Sequence, residues 1–521
     1  MKKNPIIITI MLMISNILVK FLGLGRDVVL ANTYGTSMYS DAYIVANNIP
    51  IVLFTVVSTA ISTSFIPMYS EVNEKEGDKK ALLFANNFIN ILLVISIIFT
   101  VIGEVFPSII VKIFANGFTD EAYNLTIQFT RILLPSMIAL AIMAVSGSYL
   151  QIKKDFLPIS YVSLPNNIIV IISILLAFYY NTPYILAVGT LVGMFSQLIY
   201  YYPFMKKNKF KYKLYLNLKD KYINRTVIMI LPVFIGAAAN EINTIVDRSL
   251  VSGLEQGSIA ALNYASKLTG FITGVFVVSI VTIVYPKMSE LSAKNNYKKL
   301  REYLISILES ITLIIIPISI IAIIYSNDIV KIIFERGSFD GKSTSMTAIA
   351  LCAYSIGLIG IGYREILTKV YFSIKDTKTP MVNGVIAVVL NIVLNIIFIK
   401  KIGFVGSAIS TSIVSIVTSI LLSRNLKYKI GKIVEIKIII DTLKIVVASV
   451  LATLISKSIY NMVDTRGGFI LQLIVLGIII ILNLIIYMVL LIILKEEVII
   501  NNFNKLKNIK ILRVRKKIYE E

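Results

Sequence analysis

Three groups of polar side chains in this sequence have the types and spacing to do chemistry, and all three lie inside otherwise oily runs. The first is in "LVKFLGLGRDVVLANTYGTSMYSDAY" (18–43), which places Lys20, Arg26, Asp27 and Asp41 directly after "PIIITIMLMISNIL". At helical spacing Asn16, Lys20, Gly23 and Asp27 share one face, and Asn263, Lys267, Gly270 and Gly274 repeat that spacing in "ALNYASKLTGFITG". A lysine with small residues beneath it suits a cavity wall that an anionic group can approach. Mid-membrane charge costs at least ~2.5 kcal/mol, so it faces water or a partner. Against this stand a structural Arg26–Asp27 ion pair and a Lys20 that snorkels to the interface. Arg26 points about 100° from Asp27, and its partner is expected to be Asp27 or Asp41.

The second group is "GAAANEINTIVDRSLVSG", with Asn240, Asn243, Thr244 and Asp247 on one face, together with Asn391 and Asn395 one turn apart and then Ser407 and Thr411. Hard oxygen donors of this kind hold a small cation such as Na+. Interhelical hydrogen bonding explains the same residues equally well, and Arg248 stands ready to neutralise Asp247. The third is "GYREILTK", which carries Arg364, Glu365 and Lys369; Arg364 and Glu365 are neighbours in sequence and do not share a face. With no histidine and Cys352 as the only cysteine, disulfides, Cys/His zinc sites and histidine acid–base chemistry are excluded. "GSFDGKS" has one residue too few between its glycines for a phosphate-binding loop. No nucleotide cofactor is therefore expected, and the energy source is an ion gradient or the membrane potential, worth ~2.3 kcal/mol per charge per 100 mV.

The elements that carry these residues must be membrane helices. Of 521 residues 57% are hydrophobic and 15% charged, with a mean hydropathy of +0.82. Fourteen apolar runs of spanning length are expected, near 5–32, 41–66, 82–104, 124–149, 157–180, 183–204, 224–250, 258–285, 303–325, 344–372, 380–399, 403–423, 438–460 and 468–494. The first is read as a retained helix, since no small-residue cleavage site follows it. Most of the 51 Lys and Arg fall on the side of the N-terminus, which puts both termini in the cytoplasm and explains the +22 charge without a nucleic-acid partner. The loop "MKKNKFKYKLYLNLKDKY" (205–222) and the tail "KLKNIKILRVRKKIYEE" are expected to meet anionic lipid headgroups.

The chain also repeats itself. Pro67, Ser70, Glu71, Lys75, Lys79 and Lys80 recur 219 residues later as Pro286, Ser289, Glu290, Lys294, Lys298 and Lys299. "IVKIFANG" (110–117) meets "IVKIIFERG" (329–337), and "YLQIKKDFLP" meets "YFSIKDTKTP". An even number of crossings per unit makes the copies parallel, related by a pseudo-twofold along the membrane normal. The expected fold is all-α and integral to the membrane. It comprises an N-lobe (1–204), a basic linker (205–223), a C-lobe (224–424), a basic loop (425–437), two further helices (438–494) and a basic tail (495–521). Two such lobes around a cleft suit alternating access. A cation-coupled drug exporter would want acids in the cleft, and a membrane polymerase a large outer loop, whereas the outer segments 104–123 and 326–343 are short.

"KFLGLGRDVVLANTYGTSMYSDAYIVANNIP", "SFIPMYSE", "GSIAALNYASKL" and "YSIGLIGIGYREILTKVYFSIKDTKTP", taken in order, resemble the MurJ/MviN family of lipid II flippases. The resemblance implies a monomeric, multi-pass protein of the bacterial cytoplasmic membrane that is not an enzyme. It implies transfer of undecaprenyl-pyrophosphate-linked peptidoglycan precursor between leaflets, with the last two helices forming a groove for the polyprenyl tail. It further implies substrate contacts at Lys20, Arg26, Asp27, Asp41, Lys267 and Arg364, and a Na+ site at Asp247, Asn391, Asn395 and Thr411. Lys20 and Lys267 stand where the family commonly has arginine, and Phe54 and Thr55 replace a basic pair after Pro50. That departure leaves a flippase for another polyprenyl-linked glycan, such as a capsule or teichoic-acid precursor, as the alternative.

Overall fold

The structure is a computed structural model that describes residues 5–433, 436–463 and 468–496. The basic tail expected to meet lipid lies outside the described residues beyond 496, as do the side chains of Asn16 and Asn240. Among the described residues every regular element is helical. The chain runs through α1 (Pro5–Tyr34), α2 (Met38–Glu76), α3 (Asp78–Val105), α4 (Pro107–Phe114), α5 (Asp120–Leu133), α6 (Ser136–Ile152), α7 (Leu157–Tyr161), α8 (Ser163–Tyr179) and α9 (Tyr184–Lys207). After a linker come α10 (Lys221–Ser252), α11 (Ser258–Ile272), a π-helical turn (Thr273–Val277), α12 (Val278–Ala293), α13 (Tyr297–Ile324), α14 (Ser326–Phe334), α15 (Gly341–Ile356) and α16 (Leu358–Ser373). The last four are α17 (Lys378–Ile402), α18 (Val405–Ile430), α19 (Ile436–Met462) and α20 (Phe469–Ile493).

Ten described helical segments are long and apolar enough to cross a membrane, and twelve if each of two bent pairs counts as one span. The expected fourteen is reached when α1 and α10, 30 and 32 residues long, also cross. The bends have local causes. Between α5 and α6 the axis turns by 45° at Pro135, which has no N–H to continue the ladder. Between α15 and α16 it turns by 43° at Gly357. There the Ser412 hydroxyl donates to the Ala353 carbonyl, which the break releases, at 2.6 Å, and the Ser415 hydroxyl adds a bond to the Gly357 carbonyl at 3.0 Å. The segments expected to be plain outer loops, 104–123 and 326–343, each hold a short helix instead, α4 and α14. Their apolar residues recur at helical spacing over too short a run to register as a span.

By contacts the chain separates into two compact units. The first comprises 1–268, 334–350 and 384–410, the second 269–333, 351–383 and 411–521, and each boundary falls inside a helix. In the first unit Phe65 stacks on Phe84 and Phe88 at 5.7 and 5.5 Å, tying α2 to α3. The linker after α9 is laid along α3 by three asparagines. Asn86 accepts from the Lys213 amide (2.8 Å) and donates to the Lys211 carbonyl (3.0 Å). Asn87 treats Asn217 in the same way, at 2.8 and 2.9 Å. Asn90 donates to the Lys213 and Tyr215 carbonyls, and its own oxygen accepts from the Tyr212 hydroxyl at 2.6 Å. An extended linker with no strand partner has thus found side-chain amides for its backbone groups. In the second unit Leu304, Ile311, Leu367 and Tyr371 centre one apolar cluster, and Ile316, Ala448 and Tyr487 bring α19 and α20 onto α13. Large exposed apolar side chains such as Phe178, Ile470, Ile478 and Ile481 need no cover in lipid.

Candidate functional site

The charged stretch of α1 divides into a packed part and an open part. Arg26 pairs with Asp27 and not with Asp41: Nη2 and Nε donate to the same Asp27 oxygen at 2.8 and 3.1 Å, and Nη1 donates to Asn167 Oδ1 at 3.2 Å. Asp27 is only 4% exposed. A buried carboxylate is tolerated when its partner and hydrogen bonds are in place, which gives the pair a structural task in joining α1 to α8. Lys20, about two turns before Asp27 on the shared face, is half-buried, and Lys267 of α11 is exposed. Neither makes a hydrogen bond or ion pair among the described residues. A Cβ added at Gly23 or Gly270, three residues beyond each lysine, would meet nothing within 4 Å. Both lysines therefore front open space. Lys267 lies within the electrostatic reach of Asp27, Arg26 and Arg248.

Asp41 has a different occupation. Ser37 and Ser40 cap α2 between themselves, leaving the Asp41 carboxylate free to reach α11. Its two oxygens accept from the amides of Gly257 (2.6 Å) and Ala260 (2.7 Å), first-turn donors that have no partner within their own helix. Around this cap, still within the first unit, residues of the first repeat meet residues of the second backbone to backbone. The Ser338 amide donates to the Asn32 carbonyl at 2.8 Å, and the Thr36 and Ser343 hydroxyls lie 2.8 Å apart. Gly117 donates to Ser252 Oγ at 3.0 Å, and Lys342 bridges to Glu255. Glycines make the approach feasible: a Cβ on Gly117 would lie 2.2 Å from Gly253 Cα, and one on Gly337 2.4 Å from the Asn32 carbonyl.

On α10 and α17, Asp247 is held by amides. Asn395 Nδ2 donates to Asp247 and to Asn391 Oδ1 (2.8 Å), and Asn243 Nδ2 reaches Asp247 at 3.4 Å. The oxygens of Asn243 and Asn395 are buried without a hydrogen-bond partner. A carboxylate beside orphaned amide oxygens fits a small hard cation. Among the described residues no three acidic, histidine or cysteine groups gather as a multivalent-metal site would need. Thr411 and Arg364 belong to the second unit. There Arg364 and Glu365 are half-buried on α16, and Lys369 lies over the rings of Phe372 and Tyr285 at 5.7 and 5.9 Å. Phe54 is buried and the Thr55 hydroxyl bonds back to the Ile51 carbonyl, so neither position carries a cation. The sequence reading passed over Asn167, although "LPNNII" is a polar pair in an apolar run that asks for a partner.

The model of the family described as "Lipid II flippase MurJ" matches residues 30–494, nearly the whole described chain. The chain belongs to the lipid II flippase MurJ family. Its relatives in that family include the lipid II flippase MurJ of Thermosipho africanus, 30% identical over 415 residues that cover 78% of this chain and 83% of that protein. A probable lipid II flippase MurJ of Buchnera aphidicola is 29% identical over 412 residues, covering 78% and 80%. A solved lipid II flippase MurJ in an inward closed conformation superposes with a TM-score of 0.78 at 30% identity, over 93% of this chain and 99% of that one. An inward-facing multidrug transporter of the MATE family shares the fold alone, with a TM-score of 0.68 at 13% identity over 80% and 98%.

Proposed function

We infer that this MurJ family member flips lipid II from the inner to the outer leaflet of the bacterial cytoplasmic membrane by alternating access. The observation that carries the residue-level mechanism is the pair of unpartnered lysines, Lys20 and Lys267, set against open space above glycines. A pyrophosphate leaving bulk water needs fixed positive charge, and a lysine supplies it as a point charge without the bidentate fork of arginine. Arg26 and Asp27 shape this wall rather than touching cargo, and Asp41 holds the repeats together. With no cation at positions 54 and 55, the lysines carry more of the anionic load here than in relatives with a basic pair after Pro50.

The basic loops place both termini in the cytoplasm, so the end of the first unit that bears α4 and the glycine contacts faces outward and is the closed gate. Na+ held by Asp247 with the oxygens of Asn391 and Asn395 would supply the coupling energy. The protein acts as a monomer, and α19 and α20 accommodate the polyprenyl tail. Expression in a bacterium depleted of its own lipid II flippase tests the proposal. Rescue is expected from the parent and from Lys20→Arg, and loss of rescue from Lys20→Ala and Lys267→Ala at equal membrane abundance. Full rescue by both alanine variants would overturn the role of the lysines, and failure of the parent would move the cargo to another polyprenyl-linked glycan.

A further inference from the structure

Away from the lysines of α1 and α11, the first unit contains a cavity of about 1000 Å³ between α3, α6, α9 and the linker. Its inner wall is apolar, with Ile89, Leu93, Ile142 and Leu198, and its rim carries Lys206, Lys209 and Lys211. These three lysines are exposed and have no ion-pair partner among the described residues. The mouth is built, not incidental: the strap of asparagines on α3 fixes the linker backbone at Lys211 and Lys213 and anchors Tyr212, while Lys209 takes a left-handed φ of 62° to turn the chain.

Two hydroxyls lie deeper. Ser146 and Tyr201 both line the cavity, each is only 4% exposed, and neither makes a side-chain hydrogen bond among the described residues. Both hydroxyls are open to the cavity they line, where each can donate to or accept from a bound molecule. From Leu198 to Lys206 the wall rises two turns of α9, about 12 Å, from apolar floor to cationic rim. Charge at the mouth, hydroxyls below it and hydrocarbon at the bottom match one kind of molecule, an amphiphile with an anionic head.

We propose that this cavity is a binding site for one anionic glycerophospholipid of the inner leaflet, with its phosphate among Lys206, Lys209 and Lys211, its ester oxygens at Ser146 and Tyr201, and an acyl chain along the apolar floor. The site rests on the cytoplasmic placement of the linker given above, and it is separate from the lysines assigned to cargo. Bound lipid would staple the linker to α3, α6 and α9, bracing the start of α10.

Native mass spectrometry of the full chain tests this directly, titrating phosphatidylglycerol, phosphatidylcholine and inorganic phosphate in turn. One tightly retained phosphatidylglycerol adduct is expected, with no equivalent phosphatidylcholine adduct and no displacement by phosphate at equal concentration. Neutralising all three lysines (Lys206→Gln, Lys209→Gln, Lys211→Gln) should weaken that adduct on the order of 100-fold. Ser146→Ala with Tyr201→Phe, which leaves every charge in place, should weaken it by roughly tenfold. Equal retention of both lipids, or retention unchanged in the triple variant, overturns the proposal. Displacement by phosphate alone would reassign the site to a free anion. Complementation by the triple variant separates the two readings: loss of the adduct with rescue intact leaves lipid II transport standing on its own.

Discussion

Gly117 and Gly253 give the sharpest test of the closed end, because the structure treats them unequally. A Cβ on Gly117 would lie 2.2 Å from Gly253 Cα and 2.3 Å from its nitrogen, whereas a Cβ on Gly253 would sit at an ordinary 3.6 Å from Gly117 Cα. Neither glycine has a positive φ, so alanine strains no backbone dihedral and only the contact is perturbed. To relieve Gly117→Ala the two backbones must part by roughly 1.2 Å, and the 3.0 Å bond from the Gly117 amide to Ser252 goes with it. Overpacking of this kind costs about 1–3 kcal/mol, paid only while the repeats touch. At ~2 kcal/mol the ratio of closed to open molecules falls about 30-fold. The assay is the rate at which a membrane-impermeant maleimide, added from outside, labels a cysteine placed at buried Ser343 in a Cys352→Ser background. Gly117→Ala should speed labelling by that factor and Gly253→Ala should not. Equal rates in the two variants would refute the contact as a gate.

Asp41→Ala strands two amides at the start of α11 and should also speed labelling at Ser343, while Asp41→Asn, with one acceptor oxygen left for two donors, should fall between it and the parent. Asn90→Ala removes the ties to Tyr212, Lys213 and Tyr215, so trypsin should cut the linker at least about tenfold faster, as gel densitometry would show. Just before α17, burial pushes the Asp376 carboxyl up, but hydrogen bonds from Lys429 and Thr379 outweigh it and bring the pKa down to about 2. A depressed carboxyl stabilises the fold above its ordinary 3.8 and loses that contribution as pH falls through 2. The Tm gap between parent and Asp376→Asn should thus be full at pH 5–7 and close between about pH 4 and 2.

The helices were legible in the sequence because lipid demands long apolar runs, and each expected span has its counterpart near the expected bounds. What escaped the sequence depends on contacts between distant residues. Periodicity put Lys20 and Asp27 on one face, yet Arg26 and Asn167 draw Asp27 into the protein while Lys20 stays open. Asp41 looked like one more acid near a cationic wall, and only the arrival of Gly257 and Ala260 beside it shows that it serves a helix end. The asparagines of α3 were invisible as a device, because an amide in an apolar helix does not announce that its partner is a backbone 125 residues away.

The Asp41 contact also says something about ancestry. Under the 219-residue repeat the counterpart of Asp41 is Ala260, the residue whose amide it holds. Positions related by a twofold that touch one another must lie at the axis. Gly117 and Gly337 are likewise counterparts, and each packs on the end of a counterpart helix, α10 in one case and α1 in the other. This is the pattern of an isologous interface, as two separate six-helix subunits would form in a homodimer. In such a dimer an aspartate at this position would confront its own image, two carboxylates side by side. In one polypeptide the halves are free to differ: here the acid stands once, and its counterpart is the alanine whose amide it holds.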